Sequence, residues 1–131
     1  MDKFGIKIKA VVKNGDKYLI VKRWYDDRIA SPYQWEFIDG EMCFGESPEA
    51  AAERIVREHT QLEVSDGSTL YTWSYVLGDT CFVGICICFN SLNTDIFISE
   101  ELQDYAWVTK EELNTPDHPM NARVVQDVLR I

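Results

Sequence analysis

The sequence predicts an α/β domain, and three observations carry that prediction. The chain opens on period-two alternation, a helix with a clear start at Ser47 comes next, and two further strand-rich stretches follow it at Val64 to Val76 and Thr80 to Phe89. Phe4, Ile6, Ile8 and Ala10 alternate with Lys7 and Lys9, the pattern of a half-buried strand running to Lys13. Asn14-Gly15-Asp16 then forms a hairpin turn, because Asn and Gly tolerate positive φ, and Tyr18 to Val21 returns as a second strand. Arg23 to Gln34, polar and aromatic with Ser31-Pro32, reads as a loop, and Gln34 to Phe44 reads as short extended pieces around a turn at Asp39-Gly40.

Ser47 is placed to N-cap the helix, Pro48 suits its first turn, and Glu49 sets a negative charge at the positive end of the dipole. Good helix formers from Ala50 carry it until it fades near Thr60. Gly78-Asp79 turns between the two long strands, Tyr105 to Val108 is a short strand, and Lys110 to Leu113 is a helical turn. Pro116 and Pro119 interrupt the chain before an amphipathic helix over Ala122 to Leu129.

A length of 131 residues suits one domain spanning 1–131, and the apolar content of 46% is enough to bury a core. No apolar run reaches the ~18–20 residues of a membrane helix. Met1 to Phe4 leads straight into the first strand, so no secretory leader is expected and the chain is placed in the cytoplasm. A net charge of −9 repels a phosphate polymer and argues against general nucleic-acid binding. The four cysteines form no CxxC pair, and Cys86 and Cys88, two apart in a strand, point to one face as small core residues.

The stretch that carries chemistry is Gly40 to Leu62, a glycine-containing loop feeding a capped helix dense in carboxylates. Glycines let the backbone approach a ligand, and carboxylates three or four apart on a helix can converge on a hard cation such as Mg²⁺. Such an ion neutralises phosphate oxygens and activates water.

This stretch resembles the box of the Nudix (MutT-like) hydrolase family, Gx5Ex7REUxEExGU, where U is bulky and aliphatic. Gly40, Glu46, Arg54, Val56, Glu58 and Leu62 match at the required spacings, six of nine defined positions. Ile55 and His59 stand in place of two carboxylates, and Gln61 in place of the second glycine. Trp35-Glu36-Phe37 before the box resembles the family's preceding strand, although Ile38-Asp39 replaces the usual Pro-Gly. Near the C-terminus, Trp107-Val108 and Glu111-Glu112-Leu113 resemble its closing strand and helix.

The resemblance implies an α/β/α sandwich with a mixed central sheet. It also implies a divalent-cation-dependent pyrophosphohydrolase acting on a nucleoside diphosphate linked to another group, with Mg²⁺ or Mn²⁺ as cofactor. Carried over position by position, Glu58 is a metal ligand, Arg54 and Glu46 brace and orient the site, and the carbonyl of Gly40 or its neighbour reaches the ion. His59 and an outside acid, Glu100 or Glu101, complete the candidate metal set. Arg23 and Arg28 are candidate phosphate clamps, and Trp24, Tyr25, Tyr33 and Tyr75 are candidates to stack a base.

Each of these residues has a plainer reading. Glu58 and Arg54 make a routine i, i+4 pair, Ile55 is a core residue, and His59 covers the helix end as a cation on the dipole. The missing carboxylates also suit a catalytically weak or silent domain that binds a nucleotide or a protein partner. A third option is a hydrolase using Mn²⁺ or another softer ion through His59. The small diphosphate substrate is the expected partner, and a homodimer is compatible with the sequence.

Overall fold

The structure is a computed structural model that describes residues 2–24, 34–120 and 131. The opening alternation becomes β1, Lys3–Asn14, and the Asn14-Gly15-Asp16 turn returns it into β2, Lys17–Arg23. Short strands β3, Trp35–Glu36, and β4, Ile38–Glu41, follow, then α1, Pro48–Thr60. The long hairpin is β5, Val64–Leu77, and β6, Thr80–Ser91, and β7 runs Leu102–Thr109 before a 3-10 turn at Lys110–Glu112.

These strands form a mixed sheet in the order β3-β2-β1-β6-β5, with β4 added beside β1 and β7 beside β2. β1 and β6 run parallel over Lys3↔Thr80 to Lys13↔Asn90, and the other pairings are antiparallel. The fold class is the predicted one: α/β with a mixed sheet. The expected C-terminal helix, Ala122 to Leu129, lies outside the described residues.

Period-two alternation divides the core between the two faces of the sheet. Ile8, Ala10 and Val12 of β1 join Leu19, Val21, Ile38 and Ile87 under α1, which buries Ala51, Ala52, Ile55 and Val56 against them. Val11, Tyr18, Ile20, Phe37 and Cys86 build the opposite core, and Cys88 packs on it from the same face as Cys86. Among the described residues, no helix is long and apolar enough to cross a membrane.

One local expectation is corrected. Asp39-Gly40 is not a turn but the middle of β4, in register with Lys9 and Ile8 of β1. Turn chemistry in a dipeptide is a local preference, and here a long-range strand pairing overrides it. The chain reverses instead at Phe44-Gly45, where Gly45 has φ +88° and Glu46 N–H donates to the Cys43 carbonyl at 3.1 Å.

Candidate active site

The site is built from the start of α1 upward. Ser47 Oγ accepts from the Ala50 N–H at 3.1 Å, so the helix begins where its cap dictates. That start fixes the stripes of the helix. Ala51, Ile55 and His59 turn inward and are buried, while Arg54 and Glu58 stand on the rim next to the Gly45 turn.

Arg54 is the hub of that rim. Its Nε donates to Glu46 Oε2 at 2.8 Å and its Nη2 to Glu46 Oε1 at 3.1 Å, a two-pronged pair that a lysine could not make. Nη1 lies 3.2 Å from both oxygens of Glu58, and Nη2 also donates to the Glu41 carbonyl at 2.8 Å. The Cys43 N–H closes the loop by donating to Glu46 Oε1 at 2.7 Å. The Arg54 hydrogen bonds first, and then that backbone N–H, hold the Glu46 carboxyl down at about 2. Arg54, bonded to Glu46 and Glu58, is held above its already high value. The three residues carried over as catalytic, Glu46, Arg54 and Glu58, therefore come together as one hydrogen-bonded brace.

The inward stripe behaves differently. Ile55 is 2% exposed and packs on Gly40, where an added β carbon would stand 2.8 Å from Ile55 Cδ1. His59 is 8% exposed, and its Nδ1 lies 2.9 Å from Ser99 Oγ. Burial is the leading influence on its ring and lowers its pKa, against the pull of Glu101, so His59 is a neutral buried ring rather than a cation on the helix dipole. The 95–101 segment is tied to this end of α1: Ser99 N–H donates to the His59 carbonyl at 2.9 Å, and Phe97 N–H to the Thr60 carbonyl at 3.2 Å. Gln61, where the box has glycine, takes the left-handed conformation at φ +61° and donates its N–H to the Arg57 carbonyl at 2.9 Å.

Arg23, expected to clamp phosphate, is engaged by the protein's own carboxylates. Its Nε donates to Glu36 Oε1 at 2.6 Å, and its Nη2 to Asp39 Oδ1 at 2.5 Å and to the Asp39 carbonyl at 3.5 Å. Glu101 Oε2 lies 4.0 Å from Arg23 Nη1 and 3.9 Å from His59 Nε2, so the exposed Glu101 side chain links the end of β2 to the end of α1. Glu36 is the member of this group that sequence reasoning missed. Burial raises its carboxyl first, Asp39 adds to the rise, and Arg23 opposes it. No local signal announced it: in the Trp35-Glu36-Phe37 run alternation turns Glu36 away from its two buried aromatic neighbours, and Arg23 reaches it across the β2–β3 pairing.

Of the candidate base-stacking residues, Trp24 is about half exposed at the end of β2, and Tyr75 stacks on Phe82 at 5.1 Å. Tyr25, Tyr33 and Arg28 lie outside the described residues.

The donors proposed for a divalent ion do not fit one as placed. Ile55 offers no oxygen, Glu58 is held by Arg54, and the Glu41 carbonyl beside Gly40 is taken by the same guanidinium. His59 presents a nitrogen, which Mg²⁺ does not favour. Among the described residues, no three His, Cys, Asp or Glu side chains converge as a metal site.

Comparison with known proteins agrees with this anatomy. Residues 3–128 match the model of the NUDIX domain family. The chain is 34% identical to the nucleoside triphosphatase NudI of Enterobacter sp. (strain 638), with 82% of this chain and 83% of that protein covered. Its fold is similar to the MutT protein from Methanosarcina mazei Go1, with a TM-score of 0.79, 20% identity, and 98% and 93% of the two chains covered. It is also similar to the NUDIX domain of Shewanella oneidensis NrtR, solved in complex with ADP ribose, with a TM-score of 0.79, 16% identity, and 99% and 87% covered. The match over nearly the whole chain and the Glu46–Arg54–Glu58 brace lead to one assignment: the chain belongs to the NUDIX hydrolase family.

Proposed function

We propose that the chain hydrolyses the diphosphate linkage of a small nucleotide-like molecule, with a nucleoside triphosphate as the first substrate to test. The observation that carries this reading is the Arg54 fork, which binds Glu46, Glu58 and the Glu41 carbonyl at once. That brace fixes the loop from Gly40 to Glu46 against the start of α1 and presents Glu58, more than half exposed, at its edge. The nucleoside triphosphatase activity named for the NudI relative supports the substrate class, and the ADP ribose held by the NrtR domain supports a nucleoside diphosphate as the recognised unit.

Nudix enzymes generally use divalent cations, and Mg²⁺ or Mn²⁺ is the cofactor the family implies. The chain's own residues account for holding the loop, packing Ile55 against Gly40, and setting the Glu58 carboxylate at the rim. A second reading, nucleotide binding with little or no turnover, is favoured by one specific observation: the 55 and 59 positions are a buried isoleucine and a buried neutral histidine.

A panel of nucleoside triphosphates, nucleotide sugars and dinucleoside polyphosphates, each with Mg²⁺ and with Mn²⁺, separates the two. Turnover by the wild type that disappears in Glu58→Gln supports hydrolysis. Saturable nucleotide binding without product under either ion supports the second reading.

A further inference from the structure

We infer that the end of β5 is a self-association edge, where an antiparallel β5 from a second copy of this chain continues the sheet. β5 is the last strand of the path β3-β2-β1-β6-β5, and among the described residues no strand lies beyond it. Alternate N–H and C=O groups of such a strand point outward and form a template for another strand.

The two halves of β5 differ as edges. The register with β6 slips between Ser65 and Ser68 and again between Thr69 and Tyr71, and such bulges bend and blunt an edge. From Tyr71↔Cys86 to Leu77↔Thr80 the pairing runs unbroken. Residues 73–77 of this regular half hold no charge and no proline, and the whole of β5 has one charged residue, Asp66. Lysine and proline, the usual devices that keep an edge solitary, are absent from it.

Side chains also leave the edge clear. Trp73 leans inward over Gly84, leaving no room for a β carbon there, and Phe82 leans over Gly5 in the same way. Tyr75 stacks on Phe82 at 5.1 Å. The two glycines thus let the rings tilt toward β1, away from the outer side of β5. Val76 and Leu77 stay 70% and 66% exposed at the tip, where a neighbouring strand would cover them.

A second copy fits this edge. An antiparallel edge is its own complement about a two-fold axis, so the same uncharged residues face one another. The β1 lysines nearest the tip are paired, Lys3 with Asp79 at 3.4 Å and Lys7 with Glu41 at 3.4 Å, so this end is balanced although the chain carries −9. Residues 73–77 expose on the order of 400 Å² per copy, so the pair covers less than about 1,000 Å², the range of reversible interfaces rather than permanent ones.

Sedimentation velocity and hydrogen exchange over about 5–500 µM chain, without nucleotide, test the edge independently of hydrolysis. The wild type is expected to pass from monomer to dimer with a Kd of about 10–100 µM, and the amides of residues 73–77 to exchange more slowly as the dimer fills. Val76→Lys sets a charge on the edge and should weaken association at least about tenfold. Leu92→Ser removes an exposed apolar residue at the opposite end of the β5–β6 hairpin and should leave association unchanged. A wild type that is monomeric at about 500 µM overturns the proposal, and so does a dimer whose 73–77 amides keep their monomer rates. Wild-type association by a Val76→Lys protein with a cooperative melt, or loss of the dimer in Leu92→Ser, also overturns it. If Val76→Lys fails to fold, the exchange series on the wild type decides.

Discussion

Ile55 lies flat against Gly40, with 2.8 Å separating its Cδ1 from the point where a β carbon on Gly40 would sit. The glycine is therefore held in place by packing from the helix as well as by any need to approach a ligand. Gly40→Ala is expected to destabilise the fold by about 1–2 kcal/mol, because the isoleucine tip must move within a filled core. Ile55→Ala removes the obstruction while leaving a cavity, at about 2–4 kcal/mol. Because the two residues touch, the double variant should cost less than the sum, and urea unfolding of all four proteins checks the coupling.

The two ends of α1 respond to substitution with opposite signs. Ser47→Ala removes the oxygen that accepts from Ala50 and should lower stability by about 1 kcal/mol. Gln61→Gly relieves a non-glycine residue at φ +61° and should raise stability by about 1 kcal/mol. Thermal melts should move a few degrees down and a few degrees up respectively. A Gln61→Gly melt at or below the wild-type value contradicts the left-handed C-cap.

The brace makes a pH prediction. The Glu46 carboxyl sits at about 2 in the folded chain against an ordinary 4.5, so folding favours its ionised form. Its contribution is complete above about pH 4.5 and drains away as pH falls toward about 2. Glu46→Gln should flatten the pH dependence of the melting temperature across that window and leave the slope at higher pH unchanged. An identical slope in the variant and the wild type contradicts the assignment.

Arg54 is a positioning residue, and its lysine variant distinguishes geometry from charge. Lysine keeps the charge but cannot bridge Glu46 and Glu58 as a fork. On the best substrate, Arg54→Lys is expected to lower kcat by roughly 10–100-fold with KM changed far less. Equal kcat values would show that charge alone is enough.

Much of this was legible in the sequence, and the part that was not has a physical reason. The strands at β1, β2, β5 and β6 and the start of α1 follow from local period and capping, which neighbouring residues encode. The Glu46–Arg54–Glu58 brace follows from box spacing and an i, i+4 pair. The strand at Asp39-Gly40 was hidden because its partner, β1, lies about thirty residues away in sequence. The Arg23 group was hidden for the same reason: Glu36, Asp39 and Glu101 meet it through strand order and a returning segment, and no local spacing announces that meeting. His59 carried a misleading signal, since a histidine near a helix C-terminus suggests a charge, while its burial under the 95–101 segment keeps it neutral.

Hydrolysis in water enriched in oxygen-18, with products resolved by mass spectrometry, tests the central claim most directly. The wild type is expected to release a phosphate-bearing product from a nucleoside triphosphate with one heavy oxygen on phosphorus, and Glu58→Gln to release none. Intact nucleotide with no label incorporated under Mg²⁺ or Mn²⁺, in a protein that nonetheless binds it, would contradict the claim and leave a nucleotide-binding domain on a hydrolase fold.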